Sequence, residues 1–262
     1  MTLTLGGGPL SGNPPATANY RIEGPAHKLL AHPFPRRVRA VLGGETILDT
    51  EGGLLLHETG LLPQLYLPEE DLRGDLLEPS EHGTHCPFKG DATYRSVRVG
   101  DMVAENAVWS YPRPIAEAAW LSGYAAVYWS SMDSWLDEDD EVFGHLRDPY
   151  HRVDVRPSSR RVTVLVGGEV LAESDHPLLL SETGLPNRWY LPGEDVLVPL
   201  LRPTDTETVC PYKGTASYVA FRDEQDVGWT YPHPVTEAVT IAGHYCFDPR
   251  KVSVEVDGVQ IG

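Results

Sequence analysis

The sequence predicts a mainly β protein built from two repeated antiparallel domains, each with one short helix, joined by a helical connector. Three observations predict it. The chain repeats itself over nearly its whole length; its 25 glycines and 23 prolines in 262 residues punctuate it more often than helices tolerate; and its apolar residues alternate with polar ones in short runs. The limits that follow are a flexible arm at 1–20, a first repeat at 21–130, an acidic helical connector at 131–144 and a second repeat at 145–262. At this length two compact units can each bury a core.

The repeat sets the architecture. Arg36-Arg37-Val38 recurs as Arg160-Arg161-Val162, Glu58-Thr59-Gly60-Leu61 as Glu182-Thr183-Gly184-Leu185, and Tyr66-Leu67-Pro68 as Tyr190-Leu191-Pro192. Cys86-Pro87-Phe88-Lys89-Gly90 returns as Cys210-Pro211-Tyr212-Lys213-Gly214, a shift of 124 residues that also relates His27 to His151. Beyond Tyr94 and Tyr218 the shift drops to 120, because Trp109-Ser110-Tyr111-Pro112 pairs with Trp229-Thr230-Tyr231-Pro232. Length changes concentrate at exposed tips, which puts Gly100-Asp101 in one hairpin turn and residues 223–225 in a shorter one.

In chain order, residues 37–42 and 45–48 alternate around Gly43-Gly44, a two-residue hairpin signal repeated at 162–166 and 170–172. Further strands are expected at 54–57, 64–67, 92–99 and 103–109. Pro114 then opens a short apolar pattern that stops at Gly123, and 234–243 repeats it: a Pro-started, Gly-ended helix of about two turns. A last strand, 125–129 in one copy and 251–256 in the other, closes each unit. The connector reads as a helix because Met132, Trp135, Leu136, Val142 and Phe143 interleave with acids 137–141 as one apolar stripe. It would hold the two repeats as an intramolecular pseudo-dimer, so that a monomer suffices.

Composition narrows the partners. A formal net charge of −17 repels a phosphate backbone, so no nucleic-acid partner is expected. No run of about eighteen apolar residues and no basic-then-apolar leader appears, so neither a membrane partner nor export is expected. Three cysteines without paired spacing, Cys86, Cys210 and Cys246, fit a reduced cytoplasm.

The string Cys-Pro-(Phe/Tyr)-Lys-Gly-x-Ala-x-Tyr, followed by Trp-(Ser/Thr)-Tyr-Pro-x-Pro-x-x-Glu-Ala, resembles the bacterial and fungal family DUF427, twice in one chain. The resemblance implies a β-tent-like antiparallel fold with a short helix on one side. The family carries a nucleotidyltransferase-like label without established activity, and this sequence has no Gly-Ser followed by the Asp-x-Asp pair that would hold metal for that chemistry. Zinc-binding relatives of the fold use two paired-cysteine turns, whereas each copy here has one cysteine at such a turn.

Each copy offers one polar set among aromatics. Glu58, Tyr66, Cys86, Lys89, Tyr94, Trp109 and Tyr111 are answered by Glu182, Tyr190, Cys210, Lys213, Tyr218, Trp229 and Tyr231. Aromatic walls with a few convergent polar groups describe a small-molecule pocket, and also an ordinary β core. Each lysine, fixed between a Pro-bearing turn and a glycine, can present a point charge to a carboxylate or phosphate, or can pair with Glu58 or Glu182. The glutamates are candidate acid–base groups, and Cys86 and Cys210 candidate nucleophiles or small buried hydrophobes. His82 and His85 stand before Cys86, but Thr206 and Val209 replace them in the second copy, and no metal site is expected.

Three functions fit these residues, and none names a cofactor. The first is binding, with or without transformation, of a small anionic or nucleotide-like ligand at the lysine of each repeat. The second is a non-catalytic structural or protein-interaction module. The third is a cysteine-dependent enzyme.

Overall fold

The computed structural model describes residues 3–14, 19 and 22–261. It divides into two compact units, Met1–Asp148 and Pro149–Gly262. In the first, the strands are β1 (Leu29–Pro33), β2 (Val38–Leu42), β3 (Glu45–Thr50), β4 (Leu54–Glu58), β5 (Gln64–Pro68), β6 (Leu77–Cys86), β7 (Gly90–Val99), β8 (Met102–Pro114), β9 (Tyr124–Val127), β10 (Ser134–Asp137) and β11 (Asp140–Val142). They form a seven-stranded antiparallel sheet ordered β1-β4-β5-β9-β8-β7-β6 and a four-stranded one ordered β11-β10-β2-β3.

The second unit repeats this element by element. Its strands are β12 (Val153–Pro157), β13 (Val162–Val166), β14 (Glu169–Ser174), β15 (Leu178–Glu182), β16 (Arg188–Pro192), β17 (Leu201–Cys210), β18 (Gly214–Phe221), β19 (Glu224–Thr230), β20 (His244–Phe247), β21 (Ser253–Val256) and β22 (Val259–Ile261). Their order is β12-β15-β16-β20-β19-β18-β17 in the large sheet and β14-β13-β21-β22 in the small one.

Each large sheet is covered on both faces, which is why its central strands read as near-continuous apolar runs. On β4 and β5, Leu55, Leu65 and Leu67 join a core shared with the small sheet, including Val38, Ile47 and Trp135. Leu56 and Tyr66 point the other way, into an aromatic core with Tyr94, Trp109 and Tyr111 under Ala118 and Leu121. Glu58 shares the face of Leu56, because strand side chains alternate with period two. Fold alternation alone therefore delivers Glu58 to the aromatic side.

Four expectations change. The helical connector is strand: β10 pairs with β2, and β10–β11 is a hairpin with Trp135 opposite Val142. The acids read as the polar face of a helix are its turn and ends, where Glu138 adopts φ 54° and accepts from the Arg37 amide. Asp137 and Asp139 pair with Arg36 and Arg39, so strand pairing and charge matching override a five-residue apolar pattern with helical spacing. This hairpin is the first unit's counterpart of β21–β22.

The short helix of each unit is a 3-10 helix, Ala116–Leu121 and Thr236–Ile241; the first is interrupted at Ala118, where φ is −119°. The last strand of the large sheet is β9, whose counterpart is β20, whereas 251–256 belongs to the small sheet as β21. Of the expected flexible arm, residues 3–14 fold back: Gly60 donates to the Thr4 carbonyl at 3.0 Å and Thr59 Oγ1 to the Leu10 carbonyl at 2.8 Å. Residues 1–2, 15–18 and 20 of that arm, and residue 21 at the start of the expected first repeat, lie outside the described ones.

The edge strands β6 and β17 escape sequence reading. Leu77–Cys86 and Leu201–Cys210 are mostly exposed, lack apolar alternation and carry Pro79 and Pro203, the marks of a protected edge.

Candidate functional site

The site begins at a three-residue turn. Cys86 and Gly90 are paired across β6 and β7, leaving Pro87, Phe88 and Lys89 as the loop, closed by the Lys89 amide on the Cys86 carbonyl at 3.2 Å. Gly90 has φ 108° and Gly214 φ 107°. A Cβ there would lie 3.2 Å from the Arg113 carbonyl oxygen and 3.0 Å from that of His233, so only glycine lets the turn tuck against the end of β8 or, in the second unit, the segment that follows β19. The Lys89 carbonyl then accepts from Ile115, tying the turn to the start of the 3-10 segment.

This closure aims each lysine inward. Lys89 is 6% exposed and Lys213 8%. Lys89 Nζ donates to Glu58 Oε2, while His27 Nε2 bonds Glu58 Oε1 at 2.8 Å. In the second unit Lys213 Nζ donates to Glu182 Oε2 at 2.5 Å and His151 Nε2 bonds Oε1 at 2.9 Å. Turn aromatics cap the histidines: Phe88 stacks on His27 with centroids 3.8 Å apart, and Tyr212 tilts over His151 at 4.2 Å. Each copy thus holds a closed histidine–glutamate–lysine triad. For Glu182, burial pushes the carboxyl pKa up, but the His151 bond and the charge and bond of Lys213 outweigh it, holding it down at about 2.

The aromatics form a hydrogen-bonded wall behind the triad. Trp109 Nε1 donates to Tyr66 Oη at 3.3 Å and Trp229 Nε1 to Tyr190 Oη at 3.2 Å. Tyr94 and Tyr218 share hydroxyl bonds with Thr84 and Thr208 at 3.0 and 3.1 Å. Burial drives the phenols of Tyr66, Tyr111, Tyr190 and Tyr231 far above their ordinary range, so they stay neutral. Cys86 and Cys210 are half-buried against these walls. His82 packs its ring on Tyr94 at 4.5 Å, and His85 Nδ1 bonds the exposed Asp91 at 2.7 Å.

All fourteen sequence-selected residues, seven per copy, therefore converge on one cluster in their own unit. Sequence reading left His27 and His151 on the arms, although their shared offset of 31 residues from the glutamate in each copy was a usable signal. It also missed Tyr128, which covers Trp109 at 4.5 Å, and Arg188, whose guanidinium lies 5.7 Å from the Trp229 ring centre. Cys246, which had no evident counterpart, occupies the place of Ala126 and is fully buried, its thiol pushed up to about 12 by desolvation.

Comparison with known families decides the kinship. The model of a domain of unknown function, DUF427, matches residues 30–138 and again 154–258. The chain belongs to the DUF427 family, in two tandem copies. The first match takes in β10 and the second β21, and each stops short of the strand that follows, β11 or β22. No curated protein matches the chain. Among the described residues no helix is long and apolar enough to cross a membrane.

Proposed function

We propose that this tandem DUF427 protein is a non-catalytic binding protein in which the repeated triad is a structural clamp. The observation that supports this reading is the closure of the triad on itself: each lysine is nearly out of solvent, and the glutamate that meets its charge is also held by a histidine. A general base works best with a pKa near the working pH, and Glu182 at about 2 is a feeble proton acceptor. The neutral phenols around it offer hydrogen bonds rather than protons.

The test follows from the cost of orphaning a buried charge, about 3–5 kcal/mol when one partner is removed but far less when both become apolar. Lys213→Met lowers the melting temperature steeply, and adding Glu182→Leu restores much of it. A Lys213→Met protein that melts like the wild type overturns the clamp.

One observation favours a second reading, in which the lysine also anchors a small oxyanion. An ammonium has three donors, and a glutamate oxygen is the single hydrogen-bond acceptor of each Nζ among the described residues. Titration with inorganic phosphate separates the two. Saturable binding that Lys89→Arg and Lys213→Arg weaken in a still-folded protein supports the anchor, and absence of binding supports the clamp alone.

A further inference from the structure

The second unit contains a cleft of about 470 Å³ between its two sheets, within the range of small-molecule sites. Val164, Leu191, Phe247, Val254 and Val256 wall it, Trp189 forms one side, and Arg160 and Arg188 stand at its polar margin. It lies apart from the triad, which contributes no lining residue.

The first unit explains why the space exists. Trp135 sits opposite Ala40 on β2 just as Val254 sits opposite Val164 on β13. There Trp135 stacks on Trp129 with centroids 4.6 Å apart and ring planes 8° apart, filling the gap between the sheets. The matching residues of the second unit are Val254 and Pro249, so two indoles are absent. Trp189 and Phe247, in place of Leu65 and Val127, refill part of that volume and leave the rest as cleft.

Charge changes with shape. Asp137, which pairs with Arg36 at 2.5 Å, is replaced by Val256, and Arg160 turns instead to the exposed Asp257 at 2.7 Å while its guanidinium lies 5.7 Å from the Trp189 ring centre. Gln64 is replaced by Arg188, but its guanidinium lies over Trp229 on the aromatic face, where its charge helps hold the Asp248 carboxyl down, so Arg160 is the guanidinium of the cleft. Relative to the first unit, the cleft margin has lost the carboxylate that met its arginine and kept the arginine, in a chain of net charge −17.

We infer that this cleft is a binding site for an amphipathic monoanion, an apolar body carrying one carboxylate, with the body between the sheets and the carboxylate on Arg160, in the place that Asp137 takes against Arg36 in the first unit. An apolar, walled volume favours burial of a hydrocarbon, and a guanidinium matches a carboxylate with two parallel N–H donors. The site rests on the reading that function lies in binding outside the triad, and it names where and what.

Decanoate is the probe, titrated calorimetrically into the full chain, with decanol as the uncharged control. The expected result is saturable binding of decanoate to the wild type, at least tenfold tighter than decanol. Arg160→Gln weakens decanoate about tenfold and leaves decanol unchanged. Val254→Trp with Pro249→Trp abolishes both, and Val256→Asp, a milder change that returns the carboxylate to the margin, weakens decanoate about tenfold. Absence of binding by the wild type, equal affinity for decanol, or full binding by a folded Val254→Trp, Pro249→Trp protein overturns the inference. None of these results bears on the melting shift of Lys213→Met, so this site and the clamp fail separately.

Discussion

The two copies agree where charge is buried and differ where only volume is. Their triads are superposable in chemistry, with histidine–glutamate contacts of 2.8 and 2.9 Å, while the cores between their sheets have diverged from a stacked Trp129–Trp135 pair to Pro249 and Val254. A buried ionic cluster cannot drift one residue at a time, because each loss strands the remaining charge. An apolar core can, because hydrophobic residues of altered size are tolerated once neighbours compensate. The triad is the fixed point of this duplicated fold, and the inter-sheet core is where the copies have become individual.

The largest expected effect breaks the shared half of that comparison. Lys213→Met costs about 3–5 kcal/mol and Lys89→Met a similar amount, each confined to its own copy, as read by peptide-resolved hydrogen exchange. Next comes the divergent half. Trp135→Val, which makes the first unit resemble the second, removes most of an indole from a closed core and costs about 3–4 kcal/mol. Equal losses from Trp135→Val and from Val254→Ala would erase the distinction between a filled core and an open one.

Acid sharpens the charge side. The Glu182 carboxyl lies at about 2 in the folded protein against an ordinary 4.5, so its contribution is whole above 4.5 and disappears as the pH falls from there through 2. That contribution is roughly 3 kcal/mol from the size of the shift. Glu182→Gln should flatten this part of the acid unfolding curve, followed by intrinsic fluorescence. The smallest effect is at the surface: Asp49→Asn unpairs the exposed Arg37 and should barely move the melting temperature.

Much of this fold was legible because the chain is its own alignment. The hairpin at Gly43-Gly44, the strands carrying Tyr66, Tyr94 and Trp109, and the cluster around Lys89 all followed from blocks that occur twice. Legibility failed where the period slipped. The shift falls from 120 to 119 before β10, so Trp135 was not matched to Val254, and without that match a Trp-Leu step beside acids looked helical. The edge strand Leu77–Cys86 was hidden because solvent on its sides removes the alternation that marks a strand. The triad was half visible: Lys89 with Glu58 was a stated possibility, but His27 reaches Glu58 only because β1 pairs with β4 so that Leu29 lies opposite it. The cleft was invisible, since it is a missing volume rather than a motif.

The β10–β11 hairpin also fixes where this gene product can be divided. A fragment that stops at residue 130, just short of Ser134–Asp137, would leave β2 with its amides and carbonyls bare along one side and Arg36 and Arg39 without their carboxylates. Such an open flank invites pairing with a neighbouring molecule. One that continues through Val142 keeps the flank sealed, so severing these two adjacent modules cleanly depends on a dozen residues that look like spare tether.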